Sequence, residues 1–244
     1  MKKKTGITEP VRALAAAGAS TVMAAAIVEH VRAPTFTYGV ECVGPLEEYR
    51  ARYVELRDFI NAPAKRRRWW RLFDRVDDAK ARMSAAIELA LIPQEIKWAD
   101  SFPNTVCDLG ANDLLDKYFA GSAYTAAFYV GLISSTSYTA IAAANTMASH
   151  AGWLEAGVAN APTYSQANRP ALNMASAASA RAKATSAVSA FSITGTGTVK
   201  GAFITTNNTK DGTTGILYSA GLFSGGDRAV ISGDTVNVSG SFSA

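Results

Sequence analysis

The sequence predicts an α+β protein in which an N-terminal helical hairpin or anchor, residues 1–94, precedes an antiparallel β-domain, residues 95–244. Three observations carry that expectation. Apolar residues recur at gaps of three and four before Pro93 and at gaps of about two from Ile96 onward. Clusters of Gly, Ser, Thr and Asn then interrupt the chain at short intervals, as turns between strands do. Charge divides at nearly the same place: residues 1–100 hold 17 Lys+Arg and 13 Asp+Glu, residues 101–244 hold only 7 of each, and the net +4 therefore belongs to the N-terminal part.

Within that part, Val11, Leu14, Gly18, Val22 and Ala25 place small or apolar residues on one face of a helix over about residues 10–31. Met1-Lys2-Lys3-Lys4 ahead of this Ala-rich run imitates a signal peptide, but Pro10, Arg12 and the missing Leu/Val-rich centre favour a helix. Phe36 to Val43 alternates roughly and reads as a strand or an extended connector. Gly44-Pro45-Leu46-Glu47-Glu48 reads as a helix start, because proline's missing N–H is not needed in the first turn and glutamates there face the positive end of the dipole. Tyr49, Tyr53, Leu56 and Ile60 form the apolar stripe of this helix, and Asn61-Ala62-Pro63 ends it. A further helix from near Arg68 to before Pro93 is expected to turn Phe73, Val76, Met83, Ile87 and Leu91 to one apolar face and to form an αα-hairpin with its predecessor.

From Ile96 the texture changes. Ile96 to Phe102 alternates as a half-buried strand does, and a short helix follows at about residues 111–119. Phe128, Val130 and Leu132 alternate, as do Phe191 and Ile193, and Val236 and Val238. Phe203–Thr206 and Gly215–Tyr218 flank a loop containing Asn207, Asn208, Asp211 and Gly212, so they read as a hairpin. The Ser/Ala tract from Ala175 to Ala190 reads as a flexible loop or an exposed edge strand. Several short strands of this kind are the signature of an antiparallel sandwich or barrel.

Composition narrows the chemistry. At 244 residues and 48% hydrophobic the chain is long enough for a sizeable core. Two cysteines, Cys42 and Cys107, cannot make a disulfide framework or a four-thiolate zinc site. The longest charge-free run near the N-terminus, Ala13 to Val28, is too short and too weakly apolar to span a bilayer, so no membrane span is expected. A hydrolase triad needs a histidine, and His30 and His150 are the two present, neither in a recognisable setting. The glycines Gly195, Gly197 and Gly201 resemble a phosphate-cradling loop in spacing, but a strand follows them where a helix N-terminus is needed, which makes them a turn. No catalytic residues, no metal and no cofactor are expected, and the chain reads as a non-enzyme.

One cluster stands apart as a partner-binding site: Lys65, Arg66, Arg67, Arg68, Trp69, Trp70 and Arg71 put five cations and two indoles in seven residues. Guanidinium groups beside indoles suit an anionic partner, with an acidic protein face ahead of nucleic acid or a lipid surface. Glu47, Glu48, Asp74, Asp77 and Asp78 nearby are available to neutralise the cluster internally, which argues against a committed nucleic-acid site. The other alternative is a glycan- or nucleic-acid-binding module using Trp69, Trp70 or Trp153 as a stacking platform.

The C-terminal module carries a resemblance. Trp98-Ala-Asp-Ser-Phe-Pro-Asn-Thr-Val106, Gly110-Ala-Asn-Asp-Leu-Leu-Asp-Lys-Tyr-Phe119, Phe128-Tyr-Val-Gly-Leu132, Asn145-Thr-Met147, Ser149-His-Ala-Gly-Trp153, Arg169-Pro170 and Gly233-Asp-Thr-Val-Asn-Val238 follow one another in an order that resembles a family of tailed-bacteriophage virion proteins, over roughly residues 95–244. Members of that family often carry Asp where this chain has Asn145. The resemblance implies a sandwich or jelly-roll-like unit exposed on the particle, as a capsid decoration (cement) protein or head fibre, or alternatively a tail fibre or receptor-binding component. It implies a virion location, the major capsid protein or other virion proteins as partners, and a homo-oligomer. A neutral module with few charges suits such burial, because desolvating charge is costly.

Overall fold

The computed structural model describes residues 35–63, 72–119, 127–179 and 182–243. The helix expected at residues 10–31 and the cluster Lys65–Arg71 lie outside them. The described residues form two antiparallel sheets and three α-helices. In the first sheet the order is β2 (Gln94–Pro103), β1 (Thr35–Pro45), β11 (Thr235–Ser243) and β6 (Ala182–Ala184), and β7 (Ser189–Ser192) also pairs with β11. The second runs β3 (Thr105–Val106), β9 (Leu217–Leu222), β8 (Gly197–Thr205), β4 (Tyr129–Ser134) and β5 (Glu155–Ala156), with β10 (Arg228–Val230) also on β8.

Alternation explains the first sheet. Phe36, Tyr38, Val40 and Cys42 of β1 are buried on one face, and the register sets Val40 opposite Val238 and Cys42 opposite Val236. They share a single apolar cluster with Phe102 and Phe191 of their own sheet and with Val130, Leu132, Ile204 and Tyr218 of the other, so the two sheets bury one common core. Burial of each such large side chain contributes about 2 kcal/mol. The second sheet is covered on its other face too. There Ile133, Phe203, Leu217 and Ala220 meet Cys107, Met147 and Trp153. Phe203 lies over the facing Gly131, where a Cβ would fall 2.1 Å from its Cζ. Helix α3 (Asp108–Phe119) closes against β9, its Gly110 seated on the Tyr218 backbone and its Asp113 accepting from the Tyr218 hydroxyl.

The expected division at residue 94/95 does not separate helices from sheet. β1 lies before it and is hydrogen-bonded to β11 some 200 positions away, so the strand belongs to the β body. Helices α1 (Arg50–Asn61) and α2 (Leu72–Leu91) are thus an insertion between the neighbouring strands β1 and β2 and not a separate leading domain. The cause is the β1 sequence itself: its four alternating apolar residues form one face that packs into the core shared by the two sheets.

Helices α1 and α2 pair as expected, through Leu56 with Tyr53 and Ile60 on one side and Ala85, Leu89 and Ile92 on the other. The rotation of α2 differs from the sequence expectation. Val76, Met83, Ile87 and Leu91, assigned to its packed face, are 47%, 69%, 55% and 76% exposed. Two polar clamps set the rotation. Arg82 Nη1 donates to the carbonyl oxygens of Phe59, Ile60 and Ala62 at 3.2, 2.6 and 2.9 Å, capping the C-terminal end of α1. Arg52 grips Glu88 with two bonds of 2.6 and 2.8 Å. Both clamps draw the Arg82, Ala85, Glu88 and Leu89 side of α2 toward α1. The Phe73 side chain lies outside the described residues.

Candidate functional site

The cation and indole cluster named from the sequence occupies the connection between Pro63 and Leu72, outside the described residues, and no geometry is assigned to it. The helices it joins are placed by a buried ion cluster at the end of the first sheet. Asp234, just ahead of β11 and nearly fully enclosed, accepts at Oδ1 from Arg50 Nη1 at 3.0 Å and lies 3.0 Å from Lys97 Nζ through the same oxygen. Its Oδ2 accepts the Ile231 N–H at 3.0 Å. Arg50 also donates to the Ser232 carbonyl at 3.1 Å and to Glu47 at 2.8 Å.

Two turns later on α1, Arg57 donates to the Ile193 carbonyl at 3.0 Å and to the Ser232 hydroxyl at 3.1 Å. α1 is therefore fastened to the β body along its Arg50 and Arg57 side, while Arg52, Leu56 and Phe59 face the groove against α2, a space of about 540 Å³. Space for the cluster exists because residue 44 is glycine: a Cβ there would fall 2.3 Å from Asp234 Oδ1. Burial, with Asp234 alongside, pushes the neighbouring Cys42 thiol up to about 12, so it stays a protonated, inert thiol. No local spacing in the sequence reveals this role of Asp234, because the cluster pairs residues from three distant segments.

A second ion pair is interior to the β body. Arg169 and Glu155 meet through two bonds of 2.8 and 2.6 Å, and Arg169 also donates to the carbonyls of Asn207 and Gly212 at 2.9 and 3.0 Å. Asp211 N–H completes the Glu155 carboxylate at 2.9 Å. Burial raises the Glu155 carboxyl while Arg169 opposes that rise. The arrangement pins the β8–β9 connection to the 155–170 segment, and four of the five N–H donors of the guanidinium are used in it.

The remaining sequence candidates are structural. His150 stacks on Trp153, ring centroids 4.0 Å apart, and its Nδ1 is 3.0 Å from the Trp153 carbonyl oxygen. Trp153 is fully buried and donates Nε1–H to Asn145 Oδ1 at 3.1 Å, which removes it as a stacking platform. Of the three glycines read as a turn, Gly195 lies in the turn between β7 and β8, whereas Gly197 opens β8 and Gly201 sits inside it, paired with Ile133 and Leu222. Cys42 and Cys107 are both free and buried. Among the described residues no group of three or more His, Cys, Asp and Glu is placed to hold a metal ion, and no helix is long and apolar enough to cross a membrane.

Charge in the β body is mostly spent internally. Asp113 pairs with Lys117, Glu155 with Arg169, Lys200 with Asp227, Asp100 with Arg228, and Asp234 with Arg50 and Lys97. Lys210 lies over the Tyr164 ring at 4.0 Å and Asp211 accepts the Ala159 N–H. Outside these pairs, Glu95, Asp108 and Asp116 are exposed, so the described surface of the β body also carries acidic charge. Comparison with family models, with curated proteins and with solved structures finds no match.

Proposed function

We propose that this chain is a non-enzymatic virion structural protein of a tailed bacteriophage, a capsid decoration or head-fibre protein with a β-sandwich body and a helical attachment element. The observation that carries the reading is the low charge of the β body together with the pairing of Glu155 with Arg169 and Asp100 with Arg228, which keeps those ions off its outer surface. The resemblance of the residue 95–244 motifs supports the particle, and a jelly-roll-like arrangement of the two sheets is part of the same reading. Mechanically, the protein sits at junctions between major capsid subunits and buries surface across them, so that separating the subunits also means stripping the protein away. On this reading the helical insertion, tied to the β body through Arg50 and Asp234, is the attachment element, and the cations of Lys65, Arg66, Arg67, Arg68 and Arg71 meet an acidic face of the shell.

A tail-fibre or receptor-binding role is the second reading, supported by the same resemblance of the residue 95–244 motifs. Particles lacking the protein test the first: they are expected to release DNA at a lower temperature than complete particles. Equal heat release from both would remove the shell-stabilising role.

A further inference from the structure

We propose that helices α1 and α2 form a hinged arm that swings as one unit on the β body, with the neck beside Arg50 as its pivot and Arg57 as its latch. Both ends of the helix pair leave the β body side by side. Gly44 faces Glu95 and Pro45 faces Gln94 in the register of β1 with β2, and the Leu46 N–H donates to the Pro93 carbonyl at 3.2 Å. A rigid pair of helices joined to its scaffold at such a neck turns about the element ends there. Arg50 opens α1 next to the neck, where it bonds Asp234 and reaches back to the Pro45 carbonyl at 3.4 Å, so the ion cluster lies close to the axis of the swing.

Apolar packing holds the arm together without welding it to the body. Leu56, Ala85 and Ile92, with Tyr53, Ile60 and Leu89 against them, form a cluster that shares no member with the two clusters of the β body among the described residues. The clamps made by Arg82 and Arg52 likewise tie α1 to α2, so a swing leaves the core and the clamps of the arm intact. Against the body, Tyr53 and Val54 lie over Gly233, where a Cβ would come within 3.4 and 3.3 Å of them. That contact is shallow, because residue 233 has no side chain to bury.

The latch opens without stranding a polar group. Arg57 stands seven residues beyond Arg50, about 10 Å farther along the helix, where it donates to the Ile193 carbonyl and the Ser232 hydroxyl. The Ile193 carbonyl also accepts the Gly233 N–H at 3.1 Å, and Ser232 sits on a half-buried turn. The guanidinium keeps Asp58, its neighbour on the same helix, which it bonds at 3.0 and 2.9 Å and which is 63% exposed. An orphaned buried donor or acceptor is the main cost of breaking such bonds, and here each group retains a partner or reaches water. Asp234 is enclosed and has no such freedom to give up Arg50, which is why the pivot holds while the latch opens. An arm built this way meets a partner at the angle the partner sets. The inference does not rest on the virion reading, because the swing is a property of the purified chain.

The test is nitroxide distance measurement by double electron–electron resonance on the full chain, with labels on introduced cysteines while Cys42 and Cys107 stay buried. Ala86→Cys on α2 is paired in turn with Val158→Cys and Val188→Cys on the β body, and Ala51→Cys with Ala86→Cys reports distances within the arm; all four positions are exposed. Arg57→Met is expected to add a second, displaced distance between arm and body, while the distance between positions 51 and 86 and the circular dichroism spectrum stay as in wild type. Arm-to-body distances identical to wild type in Arg57→Met would overturn the latch. A broadened distance between positions 51 and 86, or a loss of helical signal, would overturn the swing as a unit, because the helices would then be parting or melting.

Discussion

Arg50 and Asp234, 184 positions apart, meet at 3.0 Å where α1 crosses the end of the first sheet, and this contact decides how the helical insertion is carried. The Asp234 carboxylate is enclosed, while the Arg50 and Lys97 side chains are 10% and 21% exposed, so removing the carboxylate strands two cations that have little water to turn to. Asp234→Ala is expected to cost about 3 kcal/mol in urea unfolding. Arg50→Met is expected to cost clearly less, because it removes the charge along with the bond and leaves Lys97 to pair with Asp234. Equal losses would mean that the cluster contributes through packing rather than through charge.

Acid should act through Asp100. Burial alone would raise its carboxyl, but hydrogen bonds from Ser224, the Gly225 N–H and Arg228 outweigh that and hold it below the usual carboxylate range. A carboxyl lowered by folding stabilises the native state above its unfolded pKa, about 3.9, and loses that contribution as pH falls through the lower folded value. Glu155, raised by burial, acts in the opposite sense. Urea midpoints measured between about pH 2 and pH 6 are expected to fall more steeply on the acid side for wild type than for Asp100→Asn. Parallel curves would show that Asp100 is not linked to folding.

Two glycines separate crowding from backbone geometry. At Gly201, on β8 against β9, a Cβ would lie 1.9 Å from the Gly221 carbonyl oxygen, so the strands would have to move apart. Gly226 has open space around it but a φ of +81°. Gly201→Ala is expected to cost about 3 kcal/mol, and Gly226→Ala about 1–2 kcal/mol from the left-handed backbone alone. Thermal melts of the two variants check the order, and a milder effect at Gly201 would contradict the close approach of β8 and β9.

Asn145 accepts two N–H donors at one oxygen, from Ala142 at 3.0 Å and from the Trp153 indole at 3.1 Å. A carboxylate offers the same acceptor with added charge. Asn145→Asp is therefore expected to keep or raise the melting temperature, and Asn145→Leu to lower stability by about 1–3 kcal/mol through the orphaned indole N–H. A large loss on Asn145→Asp would show that the amide's N–H is also required.

Much of the secondary structure was legible because its signals are local. Pro45 and the glutamates after it mark the start of α1, preceded by a 3-10 turn at Glu47–Tyr49, and Pro63 marks its end. The alternating residues of β2, β7 and β11 gave their strands, and the loop rich in Asn, Asp and Gly gave the β8–β9 hairpin, with Phe203 opposite Ala220. The Ser/Ala tract does contain an edge strand, β6. Two things were not legible, for one reason. The place of β1 in the sheet depends on β11, and the rotation of α2 depends on carbonyls of α1 offered to Arg82; both are set by partners far along the chain, while periodicity reports only that an apolar face exists. The candidate site divides likewise. Lys65–Arg71 is conspicuous in sequence, whereas the Arg50–Lys97–Asp234 cluster is assembled only on folding.

The most direct test of the virion reading is the number of copies in purified particles of the tailed bacteriophage proposed as the source of the chain, measured by quantitative mass spectrometry against the major capsid protein. A shell-bound decoration protein is expected in hundreds of copies, in a fixed ratio to the capsid subunit. A dozen copies or fewer would contradict the shell assignment and favour the tail, and particles without the protein would contradict a structural role in the virion altogether.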